Sequence, residues 1–407
     1  MTWEAQARGQ DRSGFRLTLF KVDLKLPPAI STAAPNFSCR RLRIVHSMGQ
    51  PSPTEVRSRL LAWYDTNRRD LPWRRTRDPY RILVAEYLLQ RTRIASGTPY
   101  YVRFLARFPT VQALAAATLD DVLAVWEGLG FYGRARRLHA AARAIVAEHG
   151  GEVPRSYKAL AALPGIGPYT AGAIASIAFG IDVPAVDGNV IRVLARLFRI
   201  REDVTSVVTR RRIVEIAVTL VSPEAPGSFN QAMMELGATI CTPTSPACDR
   251  CPLESQCLAR AAGEEDEIPM AANRKPARVV PVAFALIEAK GRVLLVRREP
   301  GTLLGGLWAL PGGEIPSPGS GRASLRRLVK EQTGSEIQVG PTWSRVDRTF
   351  SHRKWSGSVY RCAPKGRPRK GEGVTWVPIA EALRLPLVPF HREVLESLAG
   401  LESFASN

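Results

Sequence analysis

Residues 163–190 read LPGIGPYTAGAIASIAFGIDVPAVDGNV, and this stretch is the most informative one for the fold of the chain. Gly165 and Gly167 lie directly before an apolar, alanine-rich segment, which predicts a tight turn that opens a helix. Backbone N–H groups at such a turn, together with the start of the helix, can hold a phosphate oxygen without reading a base sequence. Asp187 precedes a second predicted helix, where Asp commonly serves as the N-cap. Each feature alone is compatible with an ordinary turn.

The sequence on both sides of this stretch is also helical in pattern. Ala- and Leu-rich segments between residues 54 and 260 alternate with Gly and Pro, and no strand-like alternation runs through them. Helices are predicted over 58–64, 79–90, 119–127, 135–148 and 169–179. The sequence therefore predicts an all-α domain.

A different pattern begins after residue 279. Two apolar segments separated by Lys290-Gly291 predict a pair of strands, and a further helix and strand follow. The strands are predicted at 280–286, 293–297 and 357–362, and the helix at 323–332. The chain is therefore expected to be a multidomain protein in which the all-α domain precedes a small α+β domain.

The predicted domain limits follow from changes in composition along the chain. We assign 51–260 to the helical domain and 280–398 to the α+β domain, with a linker at 261–279 and a tail at 399–407. Residues 1–50 show no sustained periodicity. This segment is expected to be disordered, to lie upstream of a true start at Met48, or to act as a transit peptide.

The size and charge of the chain limit the classes of protein to which it can belong. Its 407 residues exceed one compact domain, and 45% hydrophobic residues are too many for a disordered protein. The sequence contains no run of 18 apolar residues, so it predicts no membrane-spanning helix. It also has no recognisable signal peptide. The formal charge of +20 favours a polyanionic partner such as nucleic acid, although a generally Arg-rich proteome would give the same excess. Phosphate contacts are expected from three basic groups: Arg134, Arg136 and Arg137; 210–212; and 365–370.

Four of the six cysteines form a compact pattern, C-x6-C-x2-C-x5-C, within residues 241–257. The pattern consists of Cys241, Cys248, Cys251 and Cys257. A chain without an export signal is expected in a reducing compartment, where clustered cysteines are more often metal ligands than disulfides. Zinc and a [4Fe–4S] cluster both accept four cysteines, so the spacing does not decide between them.

Glu86 is a carboxylate in the otherwise apolar segment ILVAEYLL, residues 82–89. On such a helix it either lies on a solvent-exposed stripe or is buried with a raised pKa, which would prepare it to donate a proton. The local sequence does not separate these two alternatives.

These motifs together resemble the helix-hairpin-helix DNA glycosylases, and specifically the adenine DNA glycosylase (MutY) family. The resemblance runs from about residue 56 to 395. It rests on the glycine-rich turn, the four cysteines and the motifs LPWR (71–74), DPY (78–80), GLGFY (128–132), VDGNV (186–190) and FNQA (229–232).

The resemblance implies a two-lobed helical domain that extrudes an adenine opposite 8-oxoguanine or guanine and hydrolyses its N-glycosidic bond. It implies that Glu86 protonates adenine N7, while an ionised Asp187 stabilises the oxocarbenium-like sugar. It also implies that Tyr169 and Asn189 line that site and that Gly165 and Gly167 contact a DNA phosphate. The adenine pocket would include Trp73, Arg74 and Glu235. The family's cofactor is a [4Fe–4S] cluster, which favours iron over zinc.

Position 169 distinguishes two reaction types within the superfamily. The related endonuclease III type enzymes have a lysine there that forms a Schiff base with the abasic sugar. Tyr169 cannot act as that amine, so the resemblance implies a monofunctional glycosylase.

The C-terminal part resembles the family's Nudix-like domain, which reads 8-oxoguanine. Phe350, Ser351 and His352 match its lesion-contacting loop. The Nudix hydrolase box is degenerate, because Gly319, Leu328 and Gln332 stand where carboxylates are needed to bind metal ions. We therefore expect a hydrolase fold used for recognition, rather than an active nucleotide hydrolase.

Two departures from the family pattern affect the expected specificity. Gln90-Arg91 stands where Gln-Gln is usual, and Phe131-Tyr132 where Tyr-Tyr is frequent; both pairs are expected to wedge into the duplex. Arg91 is shared with thymine-removing mismatch glycosylases, so a T·G thymine glycosylase is the alternative. A non-catalytic lesion binder is a further alternative, although it would be expected to lack one of the two acids.

The expected partner is double-stranded DNA that contains adenine opposite 8-oxoguanine or guanine. No membrane partner is expected, and the protein is expected to be a monomer. The expected location is the cytoplasm, with nucleoid association if the source is prokaryotic.

Overall fold

The computed structural model describes residues 49–270, 276–299, 301–350, 353–366 and 373–405. Several predictions concern residues outside these ranges: most of the N-terminal extension at 1–50, Ser351 and His352 of the lesion loop, and three of the basic residues at 365–370.

The first described range, 49–270, contains helices and no strand, as predicted. Its α-helices are α1 (Pro53–Asn67), α2 (Pro79–Leu89), α3 (Ile94–Arg107), α4 (Val111–Ala116), α5 (Leu119–Trp126), α6 (Gly133–Glu148), α7 (Tyr157–Ala162), α8 (Pro168–Phe179), α9 (Gly188–Leu197), α10 (Val207–Leu220), α11 (Pro226–Thr239) and α12 (Leu258–Ala262).

Local chemistry explains where the central helices begin and end. The Asp78 side chain caps α2 by accepting from the Arg81 N–H at 3.0 Å. Proline at the first position of α8 follows Gly167, and α8 ends at Gly180 with a left-handed φ of +67°. Asp187 caps α9 by accepting from the Val190 N–H at 2.8 Å.

Two apolar cores divide the helical domain into two lobes. Helices α2 to α8 share one core, which includes Leu83, Phe104, Trp126 and Ile174. Helices α1 and α9 to α12 share the other core, around Tyr64, Leu194 and Phe229. The hairpin and Asp187 lie in the segment between α7 and α9, where the chain passes from one lobe to the other.

The C-terminal domain is a mixed sheet with helices. Its elements are β1 (Arg278–Ala289), β2 (Arg292–Arg297), β3 (Trp308–Ala309), β4 (Gly312–Glu314), α13 (Gly321–Thr333), β5 (Glu336–Thr349), β6 (Arg353–Lys365), β7 (Val374–Pro378), α14 (Ile379–Ala382) and α15 (Pro389–Ala405). The strand order is β3-β2-β1-β6-β5, with β4 paired to β1 and β7 to β2. β1 and β6 are parallel, and the predicted β1–β2 hairpin is antiparallel.

Strand β1 lies in the middle of the sheet, and both of its faces are buried. Val282, Phe284 and Leu286 join the core that contains Phe390 of α15, whereas Ala283 and Ile287 pack into the core that contains α13. The alternation follows the two-residue period of a strand. The predicted fold class, an all-α domain followed by a small α+β domain, is confirmed.

The first part of the predicted linker packs against the helical domain. Glu264 forms ion pairs with Arg199 and Arg201, and the Ile268 carbonyl accepts from Arg196 at 2.7 Å. These contacts place the acidic run beside the end of α9.

Within the described ranges, no helix has both the length and the apolarity that crossing a membrane requires.

Candidate active site and cluster loop

The structure brings four of the predicted site residues together between the two lobes. Glu86 on α2 and Tyr169 in the first turn of α8 belong to one lobe, while Asp187 and Asn189 at the start of α9 belong to the other. Tyr169 hydrogen-bonds to the Glu86 carboxyl group, and the charge of Asp187 acts on both of these residues. The Tyr169 hydroxyl also contacts Met234 Sδ at 3.3 Å.

Glu86 is partly buried and does not lie on a solvent-exposed stripe, which favours the second of the two alternatives that its local sequence left open. Burial raises its pKa to about 7; the hydrogen bond from Tyr169 opposes this rise and the negative charge of Asp187 adds to it. A carboxyl group with this pKa is protonated in a large fraction of molecules at neutral pH, so it can act as a general acid.

Asp187 serves both as the N-cap of α9 and as a member of this site. Burial raises its pKa, while hydrogen bonds from the Val190 N–H at 2.8 Å and from Asn189 Nδ2 at 2.9 Å favour the charged form. Arg192 binds the other side of Asn189, since its Nη2 donates to Asn189 Oδ1 at 2.9 Å. Arg192 also donates to the Cys241 carbonyl at 2.7 Å, which joins this site to the cysteine loop.

Glu235 is buried as the centre of an ion-pair network. It is 1% exposed, and its two oxygens accept from Arg69 at 2.7 and 2.6 Å and from Arg74 at 2.8 Å. Burial alone would raise the pKa of Glu235, but these bonds lower it to about 2. Glu235 therefore holds the two arginines in this structure, and its predicted place in the adenine pocket stays a prediction. Trp73, also predicted for the adenine pocket, packs edge-on against Tyr101 at 5.4 Å.

The two predicted wedge segments lie side by side and are conformationally strained. Arg91 and Phe131 have left-handed φ angles of +58° and +49°, which non-glycine residues rarely adopt. The Arg91 guanidinium lies 4.6 Å from the centre of the Phe131 ring, and Phe131 is 43% exposed. Gln90 ends α2 and donates to Thr170 Oγ1 at 3.2 Å. Tyr132 was also expected to wedge, but it is 3% exposed and its hydroxyl accepts from the Gly128 N–H.

Arg134 was predicted to contact a DNA phosphate. The structure gives this arginine a different role, so the prediction is wrong. Its side chain is 3% exposed. Nη1 donates to the Leu88 carbonyl at 2.9 Å and to the Gln90 carbonyl, and Nη2 donates to the Gly130 carbonyl at 3.2 Å. Arg134 thus connects the end of α2 with the loop that carries Phe131. Arg136 is half-buried, whereas Arg137 and residues 210–212 are exposed as phosphate contact requires.

The predicted phosphate-binding turn is exposed and precedes α8 as expected. Gly165 has a left-handed φ of +75°, and a Cβ there would lie 2.4 Å from the Arg137 side chain, so glycine is required. Gly167 is the N-cap residue of α8. The turn therefore presents the start of α8 at the surface, with Arg137 beside it.

The four predicted cysteines line one small cavity between α11 and α12, together with Arg196 and Arg260. Arg196 is 2% exposed, and its Nη1 lies 3.3 Å from Cys241 Sγ. Each of these cysteines is half-buried and none forms a disulfide. In the described ranges, no three or more His, Cys, Asp or Glu side chains are spaced for a single metal ion.

Residues of the degenerate Nudix box form contacts that support the fold of the domain. Gln332, at a position that needs a carboxylate, accepts from the Gly312 N–H at 2.8 Å and donates to the Gly312 carbonyl at 3.0 Å. Glu331 pairs with Arg327 at 2.8 Å. Phe350, the described member of the lesion loop, is half-buried and packs edge-on against Trp355 at 5.0 Å. Ser351 and His352 remain predictions.

The helical domain, the hairpin before α8 and the mixed-sheet domain that follows are those of a helix-hairpin-helix base excision DNA glycosylase with a Nudix-like domain. Residues 84–217 match the model of the HhH-GPD superfamily base excision DNA repair proteins, and residues 282–397 match a NUDIX domain. Both matches fall on the domains described above.

Relatives that match most of this chain show which family it belongs to. The chain is 38% identical to the human adenine DNA glycosylase, over 77% of this chain and 68% of the human one. It is 40% identical to the adenine DNA glycosylase of Mycolicibacterium smegmatis, over 62% of this chain and 82% of that one. Among solved structures it is similar to a thermostable thymine-DNA glycosylase, 32% identical with a TM-score of 0.48 over 52% of this chain and 97% of that chain. The chain belongs to the adenine DNA glycosylase family, which confirms the predicted DNA N-glycosylase function in base excision repair.

Proposed function

We propose that this enzyme is a monofunctional glycosylase that releases adenine paired with 8-oxoguanine or guanine in double-stranded DNA. The observation that carries this proposal is the pairing of Glu86, whose pKa is about 7, with a hydrogen-bonded Asp187 that comes from the other lobe. Two carboxyl groups held in different protonation states can divide the work of breaking a glycosidic bond.

Glu86 is the proton donor in this mechanism. Its proton passes to adenine N7, so that the electron pair of the N-glycosidic bond leaves with a neutral base. Tyr169 orients the carboxyl group through its hydrogen bond. General acid catalysis of this kind contributes roughly 10²–10⁴-fold to the rate.

Asp187 and Asn189 act on the sugar. The ionised Asp187 stabilises the positive charge that develops at C1′, and a water molecule then completes the hydrolysis. Asn189 holds the Asp187 carboxylate, and Arg192 holds Asn189. No lysine stands at position 169 to form a Schiff base, so strand cleavage is not part of the reaction.

Extrusion of the adenine is assigned to the wedge segments. Phe131 is exposed at the tip of its loop and presents an aromatic ring that can stack in the gap left by the base. Gln90 and Arg91 approach from the adjacent segment. Gly165 and Gly167, with the start of α8, bind a phosphate of the DNA, and Trp73 and Arg74 border the adenine pocket.

Recognition of the opposite base is assigned to the Nudix-like domain through Phe350, Ser351 and His352. The structural contacts of Gln332 support recognition rather than hydrolysis, because a metal-dependent hydrolase needs carboxylates at that position. The protein is assigned to the compartment that holds the DNA, and it acts as a monomer.

Members of this family generally carry an iron–sulfur cluster. Cys241, Cys248, Cys251 and Cys257 are proposed to hold a [4Fe–4S] cluster here. What supports this assignment is that the four cysteines line one small cavity and that none of them forms a disulfide. Arg196, beside Cys241, supplies positive charge that balances the thiolates. A bound cluster would hold this loop against α9 and α11.

Absorption of the purified protein tests the cofactor assignment. A [4Fe–4S] protein is expected to be yellow-brown and to absorb near about 400 nm. A colourless protein with one zinc ion per chain would contradict it.

Single-turnover base release tests the substrate assignment. Matched duplexes carrying A opposite 8-oxoguanine, A opposite G and T opposite G are compared at saturating enzyme. Adenine opposite 8-oxoguanine is expected to be released fastest and thymine slowest. Faster release of thymine than of adenine would overturn the proposal.

A further inference from the structure

Two ion pairs of the described residues join the Nudix-like domain to the helical domain, and they differ in their surroundings. Arg392 on α15 binds Glu127 through two bonds of 2.5 and 2.6 Å, and the two side chains are 24% and 15% exposed. Arg297 of β2 pairs with Asp120 in the first turn of α5, and both of these side chains are 36% exposed. The first pair is the better shielded and has two-pronged geometry, which strengthens an ion pair.

Glu127 directly precedes the loop 128–132, which we call the wedge loop because it carries Phe131. The carbonyl of Glu127 accepts from the Tyr100 hydroxyl at 2.9 Å, and Gly128 follows with a left-handed φ of +87°. A Cβ at Gly128 would lie 2.5 Å from the Tyr100 hydroxyl oxygen, so the chain has little freedom at this point. The position of Glu127 therefore determines where the wedge loop begins. Within the loop, the Gly130 carbonyl accepts a hydrogen bond from Arg134.

Arg392 is itself fixed within the Nudix-like domain. Its guanidinium also donates to the carbonyls of Leu383 and Leu385, at 2.6 and 3.1 Å. Two residues earlier on α15, the Phe390 ring packs edge-on against Trp355 at 6.0 Å, and Trp355 packs against Phe350 at 5.0 Å. Side-chain contacts thus lead from the described part of the lesion loop to Phe390, which precedes Arg392 by two residues on the same helix.

We propose that Arg392 is a positioning residue for the wedge loop: through Glu127, the docked Nudix-like domain holds Phe131 in the conformation that extrudes adenine. This inference rests on the proposed function, since it adds a role in extrusion to a domain already assigned to lesion recognition. The domain then contributes to base release from any duplex, whichever base lies opposite the adenine.

A purely docking role for the ion pair makes a different prediction. If the pair only kept the domain in place, its loss would reduce the preference for 8-oxoguanine and leave adenine release opposite guanine unchanged. If the pair positions the wedge loop, its loss slows extrusion opposite both bases and leaves the preference intact.

The experiment compares full-length Glu127→Gln, Arg392→Gln and the double variant with the wild type. Duplexes carry 2-aminopurine in place of the target adenine, opposite 8-oxoguanine or guanine, and the fluorescence rise reports extrusion. Single-turnover adenine release is measured on the matching adenine duplexes. Asp120→Asn is the matched control, because it breaks the other ion pair between the same two domains, away from the wedge loop.

Each Gln variant is expected to slow extrusion and adenine release about tenfold on both duplexes, which corresponds to roughly 1.4 kcal/mol. The double variant is expected to match Arg392→Gln, because Glu127→Gln removes nothing further once the ion pair is lost. Arg392→Lys keeps the charge but loses the two-pronged geometry, so it should be intermediate. Asp120→Asn should remain within about twofold of wild type, as for an exposed ion pair.

Three results would overturn the inference: a lower 8-oxoguanine preference with unchanged extrusion opposite guanine, additive effects in the double variant, or an equal effect of Asp120→Asn. If a Gln variant does not fold, Arg392→Lys against Asp120→Asn decides the question by the same readouts. Failure of the proposed function would be seen separately, as a wild-type enzyme that does not prefer adenine opposite 8-oxoguanine.

Discussion

Two glutamates of the helical domain, Glu86 and Glu235, differ in charge at neutral pH, because Glu86 is protonated in a large fraction of molecules and Glu235 is ionised. Both are acids removed from bulk water, yet the pKa of Glu86 is raised to about 7 and that of Glu235 is lowered to about 2. Glu86 lies on an apolar helix with a tyrosine hydroxyl and another acid as neighbours, whereas Glu235 accepts from two guanidinium groups. The neighbours, and not burial alone, decide whether a buried acid keeps its proton. One site is thereby suited to proton transfer and the other to holding the structure together.

Replacement of the acid at the reactive site should have the largest effect. Glu86→Gln is expected to lose roughly 10²–10⁴-fold in single-turnover adenine release, since it removes the general acid. Affinity for the lesion duplex should be retained, because the proton is transferred only on the way to the transition state. Gel-shift affinity and base release measured on the same preparation check both statements. A variant within a few-fold of the wild-type rate would remove Glu86 from this role.

Replacement of the paired acid should instead affect stability. Glu235→Gln leaves the side chains of Arg69 and Arg74 without their counter-charge, and loss of one partner of a buried pair costs about 3–5 kcal/mol. Because Arg69 is 39% exposed, we expect the lower end of that range. Urea denaturation at pH 7 measures the change.

The exposed pair Arg212–Glu202 provides the control for this measurement. Glu202→Gln is expected to cost less than about 1 kcal/mol. The stability that Glu235 contributes should be present above its unfolded pKa, near 4.5, and should be lost as the pH falls towards 2. Similar costs for the two variants would show that the network is not stabilising.

The same Gln substitution at Glu86 should change stability in the opposite direction. The folded pKa of Glu86 is raised, so its ionisation opposes folding once the pH passes the unfolded value near 4.5, and fully above 7. Glu86→Gln should therefore be more stable than wild type at pH 8, by on the order of a few kcal/mol, and equal to it below pH 4.5. Thermal unfolding across this pH range measures the difference, and a destabilised Glu86→Gln at pH 8 would contradict the raised pKa.

The pH dependence of catalysis should show a smaller change. In the proposed mechanism adenine release requires protonated Glu86, so the single-turnover rate should fall as the pH rises through about 7. A decrease of about tenfold is expected for each pH unit above the pKa. Glu235 should add no feature to the profile between pH 5 and 9. A rate independent of pH from 6 to 9 would contradict the role of Glu86 as the acid.

The sequence predicts those parts of the fold that depend on local patterns. Helices α2, α6 and α8 fall close to their predicted limits, since apolar periodicity, proline at the first position and terminal glycine act within a few residues. The Lys290-Gly291 turn was recognised for the same reason. Strand β5 (Glu336–Thr349) was not predicted, because its burial is irregular and its β-bulges interrupt the two-residue alternation.

The candidate site was predictable where one motif contains the functional residue. Glu86 stands out as a carboxylate in an apolar helix, Asp187 precedes a helix, and the cysteine spacing lies within 17 residues of sequence. Arg134 was misassigned because an arginine next to other arginines looks like surface charge. Its burial depends on carbonyl groups at the end of α2, more than 40 residues earlier in the chain.

Short motifs were enough to predict the family and the order of the two domains, and they also identified Glu86 and Asp187 as the candidate acids. Helix and domain packing, by contrast, raises the pKa of Glu86 and lowers that of Glu235, and it brings Arg392 to Glu127 across 265 positions of sequence. The physical reason is that pKa values and ion pairs depend on the distances to charges and on the exclusion of water. Both are set by which helices and strands pack together, and neither is visible in the order of residues along the chain.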